Sequence, residues 1–331
     1  MGQVTELLAD HAVADPYAHF ARLREAAPLH RDERLGAWLV LRYDDVRAAF
    51  RDSRLSADRV SPYFERRRMH GVADSERATF EVLTRWIVFT DPPRHTRLRK
   101  LVDYAFRPRA VERMRGWIAS LVDELVEELG DEGELDFMER FASPLPVRVI
   151  CDLFGVPHES RGDLTRWSED ILTLVFGAMH SADRHERAER SLREFSEFLR
   201  GVIAERRTCR GEDLISDLVA AEERGDVLEE EEIVATCVLL LFAGHETTRN
   251  LLANGLKAIL EHGEAREALV CDPSAMPDAV EEILRFDGPT KAMWRQVLDP
   301  VAYGGQCIEP GERVLLVQAS ANRDPRRFEA P

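Results

Sequence analysis

The residues best suited to chemistry are Ala243-Gly244-His245-Glu246-Thr247-Thr248, which interrupt a long apolar run over 233–260. An acid and two hydroxyls in the middle of a helix that must be buried are costly unless they are paired or used. Thr247 lies four residues after Ala243, so its hydroxyl can bond back to that carbonyl and help bend the helix. A bent helix with a loosened carbonyl, a hydroxyl and an adjacent acid can hold water and pass protons. Gly244 costs about 1 kcal/mol relative to alanine inside a helix, yet it lets a flat ligand approach the backbone. The same residues also fit a polar belt where two core helices cross.

Two more patterns carry charge at helical spacing. In 279–286, Glu282 and Arg285 stand at i, i+3 on one helix face. Alone they read as a surface ion pair worth little. In 91–101, the Pro92-Pro93 pair can start a helix. His95 and Arg99 are then at i, i+4, and two cationic donors on one face suit a pair of carboxylates. A solvated basic helix gives the same pattern.

Taken in order, these segments resemble the cytochrome P450 family of haem-thiolate monooxygenases. Residues 243–248 match its distal-helix pattern Ala-Gly-x-Asp/Glu-Thr-Thr/Ser, with His245 at the variable position and given no role. Residues 282–285, followed by Phe286-Asp287-Gly288-Pro289, match its Glu-x-x-Arg helix. Residues 91–101 match the helix that holds the haem propionates, and Asn322-Arg323-Asp324-Pro325 matches the loop after the last long strand. The resemblance covers nearly the whole chain. It implies a mainly α fold with a small β-sheet and one domain over 1–331. It implies that Thr247 hydrogen-bonds iron-bound oxygen and that Glu246 helps deliver protons to it. Haem contacts would come from His95, Arg99, Ala243, Gly244, Thr247 and Arg295. Leu240, Thr290, Ala292 and Met293 would line the substrate pocket. Glu282 and Arg285 would form a buried pair that locks the core behind the haem.

In that family a cysteine thiolate is the iron ligand, in a Phe-x-x-Gly-x-x-x-Cys-x-Gly loop near the C-terminus. None of Cys151, Cys209, Cys237, Cys271 and Cys307 lies in such a pattern, and no pair has metal-site spacing. No metal ligand is therefore assigned, and the C-terminal part with the axial cysteine is expected to be missing. The resemblance implies a monooxygenase that hydroxylates or epoxidises a lipophilic small molecule with O₂, its electrons coming from a ferredoxin; the chain as written is expected to be inactive. The alternative is a haem-free relative that activates a partner enzyme such as a glycosyltransferase. Against it, His95, Arg99, Glu246, Thr247, Glu282 and Arg285 are all present. A truncated, inactive gene product is a third reading.

Composition narrows the partners. A formal net charge of −16 over 331 residues argues against general nucleic-acid binding. Residues 94–115 run the other way, with a net +6, and fit either a solvated face or a docking patch for an acidic electron donor. No run approaches the about 20 apolar residues that a membrane span needs. The first ten residues do not look like a signal peptide. With scattered cysteines, this predicts a cytoplasmic setting. Three of the 45 basic residues are lysines, which reads as the coding bias of a GC-rich bacterial genome.

The remaining elements must position these groups. Helices are predicted over 18–26, 109–129, 144–154, 187–206 and 213–221, with Gly155 and Pro157 stopping the third. Strand signals cover 37–42 and 301–317, with Pro310-Gly311 as a hairpin turn. Residues 61–78 read as charged and irregular, and in the family this region forms a mobile cover over the substrate.

Overall fold

The computed structural model describes residues 15–69, 74–106, 108–130, 133–175, 183–223 and 229–331. It is mainly helical with a small sheet, as the resemblance implies. The chain clusters into two compact units, one formed by 1–59 with 250–331 and the other by 60–249. The first ten residues, read above as no signal peptide, lie outside the described residues.

The chain opens with α1 (Pro16–Ala26), capped by Asp15, whose carboxylate accepts from the Ala18 N–H. Then come β1 (Leu29–Asp32), β2 (Ala37–Val40), α2 (Tyr43–Ala49) and β3 (Leu55–Ser56). A helical stretch follows: α3 (Val60–Met69), α4 (Asp74–Leu83), α5 (Arg94–Ala105), α6 (Pro108–Leu129), α7 (Pro144–Phe154), α8 (Arg161–Val175), α9 (Arg184–Thr208), α10 (Leu214–Glu223) and α11 (Glu230–Glu261). The last part holds α12 (Gly263–Cys271), α13 (Met276–Asp287), β4 (Met293–Val297), β5 (Val301–Tyr303), β6 (Gln306–Ile308), β7 (Arg313–Leu316) and α14 (Gln318–Ala321).

In the first unit, five strands form a sheet in the order β1-β2-β7-β4-β3. The β2–β7 pair is parallel and the others are antiparallel. Side chains alternate between the faces of a strand. Val40, Val314 and Leu316 accordingly join one apolar cluster with Val46 and Tyr303, and Leu39 and Leu315 join another with Phe20 and Leu23. The hairpin expected around Pro310-Gly311 is corrected. It turns at Gly304-Gly305, both at positive φ, and joins β5 to β6. Two consecutive left-handed residues match the twist of a two-residue hairpin, which favours glycine at both places. Pro310-Gly311 instead leads the chain into β7 beside β4, where the Gly311 N–H donates to the Val297 carbonyl at 2.8 Å.

The second unit packs around a large apolar cluster in which Trp86, Phe154 and Phe195 are fully buried. α7 ends as predicted, with Gly155 in the left-handed region at φ 65°. Arg206 ties this end down, donating to the Gly155 carbonyl at 2.9 Å and to Asp213 at 2.6 Å. Residues 61–78 are not irregular where described. α3 and α4 form there because Tyr63 and Phe64 pack on Phe80, with ring centroids 5.4 and 5.1 Å away. Residues 70–73 lie outside the described residues.

At about 1.5 Å per residue the 32 residues of α11 span about 48 Å. Its first turn carries Glu230, Glu231 and Glu232, where carboxylates complement the helix dipole. Glu232 turns inward and is held by Arg97 at 2.6 and 2.8 Å and by Arg94 at 3.1 and 3.2 Å. Burial alone would raise its pKa, but hydrogen bonds and charge from Arg97 and Arg94 outweigh it and hold it below the usual 4.5. A depressed folded-state value stabilises the fold above the unfolded value, and that gain is lost as pH falls through the depressed one. Glu232→Ala should destabilise the protein by about 2–4 kcal/mol, toward the low end because both guanidiniums are partly solvated. Denaturant melts from neutral to acid pH should also show a weaker acid dependence in the variant than in the wild type.

Candidate active site

The central turn of α11 changes character residue by residue. Ile233–Leu239, Leu241 and Phe242 are buried, whereas Leu240, Ala243 and Gly244 are half-buried. Thr247 and Thr248 are exposed. Leu240, Ala243 and Thr247 fall at i, i+3 and i+7, so they share one face, left partly open over about two turns. The Thr247 hydroxyl donates to the Ala243 carbonyl at 3.0 Å, as its spacing predicts, and Thr248 does the same to Gly244 at 3.0 Å.

Glu246 is turned away from solvent, at 4% exposure. Neither carboxylate oxygen has a hydrogen-bond donor. Arg249 Nη2 stands 3.0 Å from Oε2, an ion pair by distance but off the hydrogen-bond direction. His245 is buried as well, at 1% exposure, and its Nε2 lies 3.5 Å from Oε1. A buried acid without a hydrogen bond is costly, and such groups concentrate at functional sites.

A Cβ added at Gly244 would lie 2.8 Å from Ile150 Cδ1, so the glycine lets this α7 side chain approach α11 closely. Trp86, which the sequence analysis did not single out, stacks on Phe89 and on Phe242, immediately before Ala243. Its signal was an unremarkable tryptophan in a loop.

On α5, His95 is half-buried, and Arg99 points outward and pairs with Asp103 at 2.8 Å. The buried partner of this helix is instead Glu232, reached by Arg94 and Arg97 at i, i+3. The basic segment 94–115 is partly neutralised by these pairs and by Arg115 with Glu112 at 3.0 Å. Arg107 and the Arg109 side chain lie outside the described residues.

In the first unit, Arg295 lies on β4, where its Nη1 donates to the Trp294 carbonyl at 2.8 Å, and it stacks over Phe50. Arg59 is a further candidate that no spacing rule revealed. Burial, then the like charge of Arg295, lowers its pKa to about 10. Two neighbouring guanidiniums suit a carboxylate-bearing group. Thr290 is exposed and Met293 half-buried. Ala292 is half-buried and packs with Trp294 against the cluster of Phe20, Leu39 and Leu315.

Glu282 and Arg285 do pair, at 2.5 and 2.7 Å. Arg285 also donates to the Asn322 carbonyl at 2.7 Å, and its side chain is 14% exposed. The expected burial is corrected for the acid, which is 59% exposed, because α13 buries none of its residues among those described. Glu282→Ala should therefore destabilise this chain by about 1 kcal/mol or less, not by the several expected of a buried pair. A denaturant midpoint shift equivalent to more than that would mean the acid is covered.

The open stripe of small and apolar side chains on α11, beside an orphaned acid, fits a flat, largely apolar group with polar chemistry at its centre. In the other unit, the neighbouring guanidiniums of Arg59 and Arg295 suit a carboxylate-bearing group. Cys151 and Cys237 are buried thiols, and burial pushes Cys151 up to about 11 and Cys237 higher still. Among the described residues no cluster of three or more potential metal ligands occurs, and no helix is long and apolar enough to cross a membrane.

Comparison with known proteins agrees with these features. The family model for cytochrome P450 matches residues 59–271. The 6-deoxyerythronolide B hydroxylase of Saccharopolyspora erythraea is 38% identical over 338 residues, covering 100% of this chain and 81% of that protein. The cytochrome P450 monooxygenase PikC of Streptomyces venezuelae is 40% identical over 325 residues, covering 96% of this chain and 74% of that one. The crystal structure of CalO2 superposes with a TM-score of 0.89 at 32% identity, covering 98% of this chain and 80% of that chain. The chain belongs to the cytochrome P450 family of haem-dependent monooxygenases.

Proposed function

We propose that this P450 hydroxylates or epoxidises a lipophilic small molecule of the polyketide or macrolide kind, with electrons supplied by a ferredoxin in the cytoplasm. The observation that carries the reading is the partly open Leu240–Ala243–Thr247 stripe next to the buried Glu246. Hydroxylation of a macrolide-type substrate is supported by the name of one relative, 6-deoxyerythronolide B hydroxylase. The haem-free helper reading is not favoured, since the matched relatives are named as hydroxylases and monooxygenases. In this reading residues 1–331 belong to one catalytic domain, and none of their five cysteines is assigned as the iron ligand.

When bound, haem supplies the iron at which O₂ is activated and from which one oxygen atom reaches the substrate. The chain supplies position and protons. His95 and Arg99, and separately Arg295 with Arg59, would offer hydrogen-bond donors to the carboxylates of the haem. Leu240 and Ala243 present an apolar surface that keeps bulk water from the reacting face. Thr290 and Met293 flank the substrate. The Thr247 hydroxyl already donates to Ala243, so its oxygen is left to accept from a water. Glu246 is the neighbouring group that can take up a proton and release it there by turning away from Arg249. A positioned proton-transfer group is typically worth about 10²–10⁴-fold in rate.

Two measurements test this. Thr247→Ala in the thiolate-complete enzyme should uncouple electron use from product formation, with peroxide replacing product; an unchanged yield per electron would remove Thr247 from the relay. Residues 1–331 reconstituted with haem should lack the thiolate-type carbon monoxide band, because none of the five cysteines lies in the family's iron-ligand pattern. A clean thiolate-type band would assign the ligand to one of the five cysteines.

A further inference from the structure

His245 is the buried titratable group of this site that the mechanism above leaves unused. Its Nδ1 is 2.8 Å from the Leu241 carbonyl. A carbonyl only accepts, so Nδ1 carries a hydrogen and the ring is pinned to its own helix. That leaves Nε2 as the ring nitrogen near Glu246. Nε2 and Oε1 are 3.5 Å apart, both are buried, and neither has a hydrogen-bond partner. A bare nitrogen lone pair opposite a bare carboxylate oxygen would leave two desolvated acceptors facing each other. One hydrogen placed on either atom satisfies both, after a few tenths of an ångström of closure.

The surroundings single out this pair. Arg249, on the same helix, is the charged group within ion-pair distance of Glu246 among the described residues. The neighbouring α7 helix presents Ile150 at this turn, an apolar side chain. Arg249 therefore holds one carboxylate oxygen from one side and His245 addresses the other.

We infer that His245 is a positioning residue for Glu246, the two sharing a single hydrogen between Nε2 and Oε1. The inference rests on the reading of Glu246 as the proton-delivering acid and deepens it. Before Glu246 delivers a proton, the Nε2–H bond breaks and an Oε1–H bond forms, turning imidazolium plus carboxylate into imidazole plus carboxylic acid, and the Oε1–H is the hydrogen then passed on. Atoms and charge balance with no further reactant.

The test that does not depend on haem is imidazole nitrogen NMR of the 15N-histidine-labelled protein, with His245 assigned by its loss in His245→Gln. In the wild type the Nε2 signal should be displaced from the range of a free lone-pair nitrogen, and in Glu246→Leu it should return to that range. A wild-type signal in the free range, or one that does not move in the variant, overturns the shared hydrogen. Should Glu246→Leu fail to fold, the wild-type signal alone decides. In the haem-loaded, thiolate-complete enzyme, His245→Phe should lower product per electron about tenfold or more. His245→Gln, whose amide can still donate to Oε1, should keep most of it. A displaced Nε2 signal with normal coupling in His245→Phe but uncoupling in Thr247→Ala overturns the positioning role alone. Normal coupling in both overturns the relay reading beneath it.

Discussion

The burial of the Glu246 carboxylate is the constraint around which the candidate site is organised. It sits at 4% exposure in a helix whose preceding ten residues are almost wholly apolar. A charge in such a place needs compensation, and none of the compensation here is a conventional hydrogen bond. Arg249 supplies charge at 3.0 Å and His245 supplies a nitrogen at 3.5 Å. Both lie on the same helix as the acid.

The groups that do hold the fold are paired differently. Glu232 receives four hydrogen bonds from two guanidiniums. In the other unit, Arg24 donates to the Ser320 and Arg323 carbonyls at 2.8 Å each and faces Asp324 at 3.7 Å. Arg323 lies between the rings of Tyr17 and Phe286 at 3.6 and 3.9 Å and donates to the Phe286 carbonyl. Planar guanidiniums can stack and donate in several directions at once, which lysine cannot do. The scarcity of lysine, read from the sequence as coding bias, is therefore put to structural use. The contrast between saturated structural acids and the unsaturated Glu246 is what separates fold from site in this molecule.

Much of the fold was legible because helices announce themselves locally. The 144–154 helix and its glycine stop were read correctly because Gly155 is the αL residue such an end favours. The Thr247-to-Ala243 bond followed from i, i−4 geometry alone. The sheet was harder. β4 and the β2–β7 pairing join residues about 20 to 275 positions apart, and no local period encodes that choice. The hairpin was misplaced for the same reason: Gly304-Gly305 and Pro310-Gly311 are both good turns, and only the identity of the pairing strands decides which one closes a hairpin.

The sequence by itself determined the family, the hydroxyl-to-carbonyl bonds of the 243–248 turn and the helical class, since each depends on residue type at short spacing. It also determined that Glu282 and Arg285 would meet, because i, i+3 places them on one face. Only the tertiary structure decided which partner each charge received. It gave Arg94 and Arg97 to Glu232 and left Arg99 to Asp103 at the surface. It set Gly244 against Ile150, placed Arg59 beside Arg295, and turned His245 toward Glu246. The physical reason is that burial and charge pairing depend on atoms brought together from distant parts of the chain, or on rotamers fixed by that packing, and a linear pattern carries neither.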